Sequence, residues 1–252
     1  MKKDNQLKKI AIYSMAALAY GVAQNAFAHT RLQIPVIDEN TRVYNNEVIA
    51  HGCHNPVTNS NSNAVVGTSV VFPDGLDSTI AVDGQVVSQP LTDFVQNWGN
   101  LNQKIQSRDL FITEAEKTDS LGNVVGFWGA LGGMPGTYTG LNPFRTSAVI
   151  IEPTSCANSV TFVVPIADIC TFTPISGFSD ETVNLWTPAV GSNFDGPGLH
   201  GFDSPATLKV NRTSALPASC GAGVDVTVTP SAAQINRDMP IVVDGVQVWP
   251  TP

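Results

Sequence analysis

Short runs of alternating apolar and β-branched residues, separated by turn residues, recur along the chain from Thr41 onward. This pattern is typical of strands, because alternate side chains of a strand point to opposite faces of its sheet. Regularly spaced short strands indicate an all-β fold, here an antiparallel β-sandwich of the immunoglobulin- or cupredoxin-like type with long loops. The predicted strands are residues 43–50, 64–72, 78–87, 147–151, 159–164, 206–210 and 224–229.

Turn residues predict where hairpins and loops connect these strands. Asp83-Gly84 and Asp244-Gly245 lie between apolar residues and predict tight hairpins, because Asp and Gly tolerate positive φ. The second turn predicts an added C-terminal hairpin over residues 241–249. Gly and Pro are frequent in residues 126–143, and residues 171–205 have the composition of a long loop, the kind of segment that often carries function. Residues 91–117 have mixed periodicity that allows a short helix.

The first 28 residues have the pattern of a secretory signal peptide. A basic start precedes a mostly apolar stretch over residues 10–22, and Ala26-Phe27-Ala28 fits the small-x-small rule for cleavage. The apolar stretch is shorter than the roughly 20 residues that span a bilayer, which argues against a membrane anchor. We therefore expect cleavage between Ala28 and His29 and a periplasmic or secreted mature protein without a membrane anchor. The basic residues are Lys2, Lys3, Lys8 and Lys9.

The net charge of the mature chain limits the kinds of molecule that it is expected to bind. Acidic residues number 21 and basic residues 13, and four of the basic residues and one acidic residue lie in the predicted leader. The mature chain is therefore left with nine bases against 20 acids, a formal charge of −11. Such a surface repels nucleic acid and anionic lipid and attracts cations. No nucleic-acid partner is expected.

The four cysteines all lie beyond the predicted cleavage site, in a chain expected in an oxidising compartment. Two disulfides are the expected outcome, and spacing alone leaves all three connectivities open. The alternative is a thiolate metal site, but the sequence has no Cys-x-x-Cys pair to favour it. The cysteines are Cys53, Cys156, Cys170 and Cys220.

Cleavage after Ala28 would make His29 the first residue of the mature chain. The free α-amine and the imidazole Nδ1 of an N-terminal histidine can chelate one metal ion in a single ring. Their reference pKa values, about 7.7–8.0 and about 6.5, make deprotonation inexpensive near neutral pH. Copper binds nitrogen sites most tightly among the divalent first-row ions, so His29 is a candidate copper ligand. The alternative is that His29 simply follows the cleavage site, which places little demand on that residue.

Five short motifs occur in a consistent order after the leader, and together they resemble the YcnI-like family of secreted copper-binding domains. The resemblance covers roughly residues 29–188 and implies a copper-binding β-sandwich domain over 29–215. Residues 216–252 then form C-terminal strands of the same domain or an appended hairpin. The motifs are His29-Thr30-Arg31-Leu32 with Pro35 and the strand into His51-Gly52-Cys53; Asn97-Trp98-Gly99; Phe127-Trp128-Gly129 with Gly132-Gly133-Met134-Pro135; Thr161-Phe162-Val163-Val164-Pro165 leading to Cys170; and Trp186 with Pro188.

The resemblance implies one copper ion, Cu(II), bound through the N-terminal histidine alone, with a carboxylate and a tryptophan completing the site. Carried over to this sequence, His29 is the chelating ligand and Trp186 the flanking aromatic residue. The glutamate of the family lies seven residues after the histidine, where this chain has Val36. Asp38 or Glu39 would then take that role through a small insertion. The resemblance also implies a disulfide between Cys53 and Cys170, with Cys156 and Cys220 forming the second.

Three further histidines are candidate extra ligands. His51 and His54 bracket Gly52-Cys53 on a predicted turn and could clamp a metal only if the turn folds both rings inward. His200 lies in the long loop segment and could approach Trp186. The simpler interpretation of each is an exposed or hydrogen-bonded loop histidine, because two histidines without a third ligand are a weak metal signal.

Three functions remain open on the sequence. The first is a periplasmic copper-binding protein for storage, delivery or homeostasis, with another periplasmic copper protein as partner and no enzymatic activity. The second is a copper-dependent oxygenase of the polysaccharide monooxygenase type, which needs His51, His54 or His200 close to the metal on His29. The third is a metal-free surface or adhesion module. The sequence contains no Gly-x-Ser-x-Gly elbow, His-Glu-x-x-His pair or phosphate-binding glycine loop, so a common enzyme signature is not present.

Overall fold

The computed structural model describes residues 29–96 and 102–252, so the leader and the Asn97-Trp98-Gly99 motif lie outside the described residues. The predicted fold class is confirmed, since the described residues form an all-β sandwich of mostly antiparallel sheets with a short C-terminal helix, α1 (Ala232–Asp238). No helix in the described part is long and apolar enough to cross a membrane.

One layer of the sandwich is a six-stranded sheet. In spatial order its strands are β2 (Val36–Asp38), β18 (Ala206–Asn211), β15 (Ala157–Val164), β19 (Val224–Thr229), β7 (Thr79–Val82) and β8 (Gln85–Val87). Neighbouring strands are antiparallel except that β19 runs parallel to β15 and β2 runs parallel to β18.

The other layer contains a five-stranded and a four-stranded antiparallel sheet. The five-stranded sheet is β11 (Thr113–Thr118), β12 (Val124–Ala130), β6 (Gly67–Val71), β16 (Ile166–Ile169) and β17 (Val183–Trp186). The four-stranded sheet is β1 (Arg31–Leu32), β3 (Val43–Ile49), β13 (Gly140–Thr146) and β10 (Asn102–Lys104).

Smaller elements complete the described chain. Three two-stranded pairs are β9 (Val95–Gln96) with β14 (Ile150–Ile151), β4 (Cys53–Asn55) with β5 (Ser60–Asn63), and β20 (Ile241–Val243) with β21 (Val246–Trp249). Short 3-10 helices span Leu91–Asp93, Ile175–Gly177 and Ala218–Cys220.

Apolar side chains cover both faces of the five-stranded sheet. On one face Phe127 packs in the same core as Phe162 of the six-stranded sheet. On the other face Trp128 and Leu185 share a second core with Trp249, in the C-terminal hairpin, and with Ile235 of α1. A strand buried on both faces is expected to be apolar throughout, and β16 is buried at all four positions. Any charged residue in such a strand therefore needs polar partners.

Both predicted Asp-Gly hairpin turns are confirmed. Asp83 and Gly84 connect β7 to β8, and Asp244 and Gly245 connect β20 to β21, all with positive φ. The C-terminal segment does more than add a hairpin, because β19 lies inside the six-stranded sheet between β15 and β7.

The Gly- and Pro-rich segment 126–143 contains more strand than its composition suggested. It holds most of β12 and the start of β13. Gly129 explains part of the discrepancy, because a Cβ there would lie 2.4 Å from Cδ2 of Phe111. That glycine allows a ring to pack against the sheet, whereas composition alone suggested a loop. The helix α1 was not predicted either; the Ser231 side chain caps it by accepting a hydrogen bond from the Gln234 N–H.

The two disulfides connect the residues that the family resemblance implied. Cys53 is bonded to Cys170 and Cys156 to Cys220. The first bond joins β4 to the residue after β16. It therefore fixes the turn that carries His51 against the strand that carries Asp168.

Candidate metal centre

Trp186, at the end of β17, is the centre of a cluster of histidines. Its side chain is only 1% exposed, and its indole N–H donates a 2.6 Å hydrogen bond to Oδ2 of Asp168. Among residues 29–96 and 102–252, the histidine rings in contact with the indole are those of His29, His51 and His200. Three residues far apart in sequence are thus brought to one aromatic side chain.

The ring separations define the shape of the cluster. The centroid of the Trp186 indole lies 5.0 Å from the His29 ring, 5.0 Å from the His200 ring and 6.3 Å from the His51 ring. The rings of His51 and His200 contact each other edge to face at 5.1 Å. All three histidines are partly buried. We call these four side chains the Trp186 cluster.

One ring nitrogen of His51 is hydrogen-bonded, and the other has no hydrogen-bond partner. Its Nδ1 lies 2.6 Å from the main-chain oxygen of Gly52. A carbonyl oxygen only accepts, so Nδ1 must carry the proton, which assigns the lone pair to Nε2. His51 Nε2 is buried and has no hydrogen-bond partner. Its free electron pair is the form of imidazole that binds a metal ion.

His200 is held by its main chain, which leaves its ring free. Its N–H donates to Oδ1 of Asp180 at 2.8 Å, and its carbonyl accepts from the N–H of Leu185 at 3.0 Å. His200 Nε2 is also buried without a hydrogen-bond partner. Burial lowers the pKa of His200, nearby His51 and His29 lower it further, and Asp180 opposes them. The ring is therefore held in its neutral form near neutral pH.

Gly201 allows the His200 loop to lie against Trp186. Its φ is +93°, and a Cβ at this position would lie 2.8 Å from the oxygen of Leu185 and 2.9 Å from Cδ2 of Trp186. A side chain there would push the loop away from the indole. The close approach of His200 thus depends on a glycine.

Asp168 is a carboxylate beside the Trp186 cluster, and sequence analysis missed it. It is fully buried and accepts hydrogen bonds of 2.6 Å from Thr30 Oγ1 and from the Trp186 indole. Burial raises its pKa to about 6, although the Thr30 and Trp186 hydrogen bonds and the nearby His51 lower it. Because Thr30 follows His29 directly, Asp168 ties the predicted mature N-terminus to the core. The available signal was one acid within the otherwise apolar strand β16.

A second buried carboxylate, Glu47 of β3, lies close to Asp168. It accepts hydrogen bonds from the Thr68 hydroxyl and from Nδ2 of Asn142. Burial and then Asp168 raise the pKa of Glu47 to about 8. Glu47 is therefore neutral at pH 7, because two negative charges are costly side by side in a buried region.

The structure places neither predicted acidic ligand beside His29. Oε1 of Glu39 accepts hydrogen bonds from the N–H of Thr213 at 2.8 Å and of Ser214 at 2.7 Å, and Oε2 accepts one from the N–H of Ile151 at 3.2 Å. Burial raises the pKa of Glu39, but these bonds outweigh it and the pKa is lowered. The carboxylate of Glu39 therefore stabilises the segments that contain Ile151, Thr213 and Ser214.

Position along β18 shows why Glu39 and Asp38 do not reach the cluster. His29 shares a cavity of about 340 Å³ with residues 204–207, where β18 begins. Asp38 is exposed and pairs with Asn211, where β18 ends, and the N–H of Glu39 donates to the Asn211 carbonyl. The five steps along β18 span about 16 Å at 3.3 Å per residue. Asp38 and Glu39 therefore lie at the opposite end of β18 from His29.

His54 lies in β4, three residues after His51, and outside the Trp186 cluster. Its N–H donates to the carbonyl of Asp180 at 2.8 Å, and the residue is partly buried. The turn predicted for both histidines therefore holds only His51, which contacts Trp186, whereas His54 belongs to the following strand. Within the described ranges, no group of three or more His, Cys, Asp or Glu side chains is arranged to hold a metal ion. Around Trp186, the described buried atoms without a hydrogen-bond partner include Nε2 of His51, Nε2 of His200 and Oδ1 of Asp168.

Comparisons with known proteins assign this chain to no family. No family model matches the chain, and no curated protein matches it. A solved structure of an uncharacterized protein from Nocardia farcinica, described as having an immunoglobulin-like fold, is 14% identical, with a TM-score of 0.38. The match covers 73% of this chain and 99% of that chain.

Proposed function

We propose that this chain is a copper-binding protein that uses His29, made N-terminal by signal-peptide cleavage, for copper storage, delivery or homeostasis in the periplasm or outside the cell. The observation that carries the proposal is the packing of the His29 ring against Trp186, 5.0 Å between centroids. An N-terminal residue held in place by a buried aromatic side chain has its α-amine and imidazole available together. This is the donor pair that favours Cu(II).

The surroundings of His29 favour a fixed chelating residue. Thr30 is 1% exposed, and its hydroxyl donates to Asp168 at 2.6 Å, which anchors the backbone directly after the proposed ligand. Preorganised ligands bind more tightly because less conformational freedom is lost on binding. We assign the acidic role near the site to Asp168, because its Oδ1 is buried without a partner and its Oδ2 orients both Thr30 and Trp186.

The chemistry of these residues suits reversible capture of a cation. The N-terminal amine and the His29 imidazole release protons when they bind metal, so affinity should rise with pH through their pKa values. Trp186 excludes water from one side of the site. The net negative charge of the chain raises the local concentration of cations.

The test is a Cu(II) titration of the protein beginning at His29, followed by electron paramagnetic resonance. His29→Ala and a form with one glycine added before His29 remove the imidazole and displace the amine, respectively. His54→Ala is the matched control, because His54 lies outside the Trp186 cluster. One tight equivalent with nitrogen hyperfine structure, lost in both altered forms and kept in the control, would support the proposal. Equal binding by all forms would overturn the role of His29, and binding by none would overturn the proposal in favour of a metal-free surface module.

A copper-dependent oxygenase is the second candidate, and the position of two histidines favours it. His51 and His200 contact the same indole as His29, at 6.3 Å and 5.0 Å between centroids, and a two-histidine brace would need one of them to share a metal ion with His29. The test is incubation of the copper-loaded protein with insoluble polysaccharides and a reductant. Oxidised oligosaccharides that disappear in His29→Ala would indicate the oxygenase, and their absence with intact Cu(II) binding would indicate a binding protein.

A further inference from the structure

His51 and His200 form a pair of imidazoles that the proposed His29 chelate does not use. Their rings lie 5.1 Å apart between centroids, and both Nε2 atoms are buried with no hydrogen-bond partner. A buried polar nitrogen without a hydrogen-bond partner is unfavourable. Two such nitrogens on neighbouring rings therefore indicate a place where a bound species would be stabilised.

We propose that His51 and His200 form a two-nitrogen binding site for monovalent copper, beside the His29 chelate. The inference rests on the proposed function for the identity of the metal. It extends that function, because the Trp186 cluster would then hold copper in both oxidation states, with Cu(II) on the amine and ring of His29 and Cu(I) between the two imidazoles.

The number of donors argues for Cu(I) over other ions. Imidazole nitrogen is a good ligand for copper and zinc, but structural Zn²⁺ takes four ligands and Cu(II) prefers tetragonal sites. A monovalent d¹⁰ ion is satisfied by two neutral donors. Within residues 29–96 and 102–252 no third His, Cys, Asp or Glu completes a cage with this pair.

The fold holds each imidazole of the pair before any ion arrives. The Gly52 carbonyl fixes the tautomer of His51, and the Cys53–Cys170 disulfide fixes the turn immediately after it. Gly52 itself has no room for a side chain, since a Cβ would lie 1.8 Å from the oxygen of Asn63. His200 is held through its main chain by Asp180. Such outer contacts orient ligands and commonly contribute 10–100-fold to metal affinity.

The experiment measures Cu(I) affinity by anaerobic competition with a chromophoric Cu(I) chelator. The proteins are the form that begins at His29, the glycine-extended form, His51→Asn, His200→Asn and the control His54→Asn. We expect one Cu(I) in the first two forms and in the control. We expect a loss of affinity of at least about 10–100-fold in His51→Asn and His200→Asn, because a lost ligand costs no less than a lost outer contact.

The two proposals fail differently. Loss of Cu(II) binding together with retained Cu(I) binding in the glycine-extended form supports both sites. Retention of Cu(II) binding in that form overturns the His29 proposal alone. Cu(I) affinity that is unchanged in both His51→Asn and His200→Asn, or that falls equally in His54→Asn, overturns the imidazole pair.

A second measurement avoids dependence on folded variants. Cu(I) is diamagnetic, so the Nε2 resonances of ¹⁵N-labelled wild-type protein can be followed during titration. The shift should appear at His51 and His200 and be absent at His54. A shift confined to His29 would overturn the proposal.

Discussion

The free energy of unfolding is expected to fall as the pH rises through neutrality because of Glu47. Burial, and then Asp168, raise the pKa of this carboxyl from 4.5 to about 8 in the folded protein. Between these values the folded state binds more protons than the unfolded state, so raising the pH favours unfolding. A difference of 3.5 between the two pKa values corresponds to about 5 kcal/mol lost between pH 4.5 and pH 8.

The perturbation that isolates this effect is Glu47→Gln. Glutamine has the shape of the neutral acid, and its side chain can keep polar contacts with Thr68 and Asn142. Urea unfolding followed by tryptophan fluorescence at pH 5, 6, 7, 8 and 9 gives the free energy of unfolding of both proteins. The variant should be relatively more stable than the wild type as the pH approaches 8, with the advantage growing by several kcal/mol from pH 5.

Two results would refute this reasoning. A wild-type stability that differs from that of Glu47→Gln by the same amount at every pH would mean that the carboxyl does not titrate in this range. A difference that grows toward low pH would mean that the folded state lowers the pKa of Glu47. Glu116→Gln, in an exposed part of β11, serves as the control for removal of a carboxylate.

Three other substitutions test separate parts of the fold. Lys117→Met should destabilise the protein by about 2–4 kcal/mol in thermal or urea unfolding, because Nζ of Lys117 donates to three consecutive main-chain carbonyls, from the last residue of α1 onward; an unchanged midpoint would contradict this. Replacing Cys156 and Cys220 by serine should cost about 4 kcal/mol, since their bond closes a loop of 64 residues, and wild-type stability would argue against it. Gly201→Val should weaken Cu(I) binding at His200 more than Cu(II) binding at His29, in the same competition and titration assays; equal affinities to wild type would show that the loop does not need to approach Trp186.

Much of the sheet content could be predicted from local pattern. Alternation marked β3, β15, β18 and β19 to within a few residues, because each strand has one side facing the core and a repeat of two. Local pattern failed for β12, where glycines serve close packing against Phe111. It also failed for α1, which is stabilised largely by burying Ile235 against the five-stranded sheet.

Part of the candidate site was visible in the sequence. His29 was accessible as a candidate because cleavage follows a local motif, and Trp186 because of its place in an ordered set of motifs. The acidic residue near His29 could not be identified in this way, because counting residues from His29 assumes that residues close in sequence are also close in space. Glu39 follows β2, which pairs with β18 in the six-stranded sheet. Asp168 instead lies in β16, which belongs to the five-stranded sheet.

The sequence by itself determined the strand-rich fold class, the two hairpin turns and the residue types able to bind a metal, because these depend on local periodicity, turn chemistry and donor atoms. Only the tertiary structure decided which of those residues meet. The packing of β16 and β17, the disulfide beside His51 and the glycine after His200 bring separate segments to Trp186. Contacts between segments distant in sequence depend on how sheets stack and which loops can approach, and no local pattern encodes that.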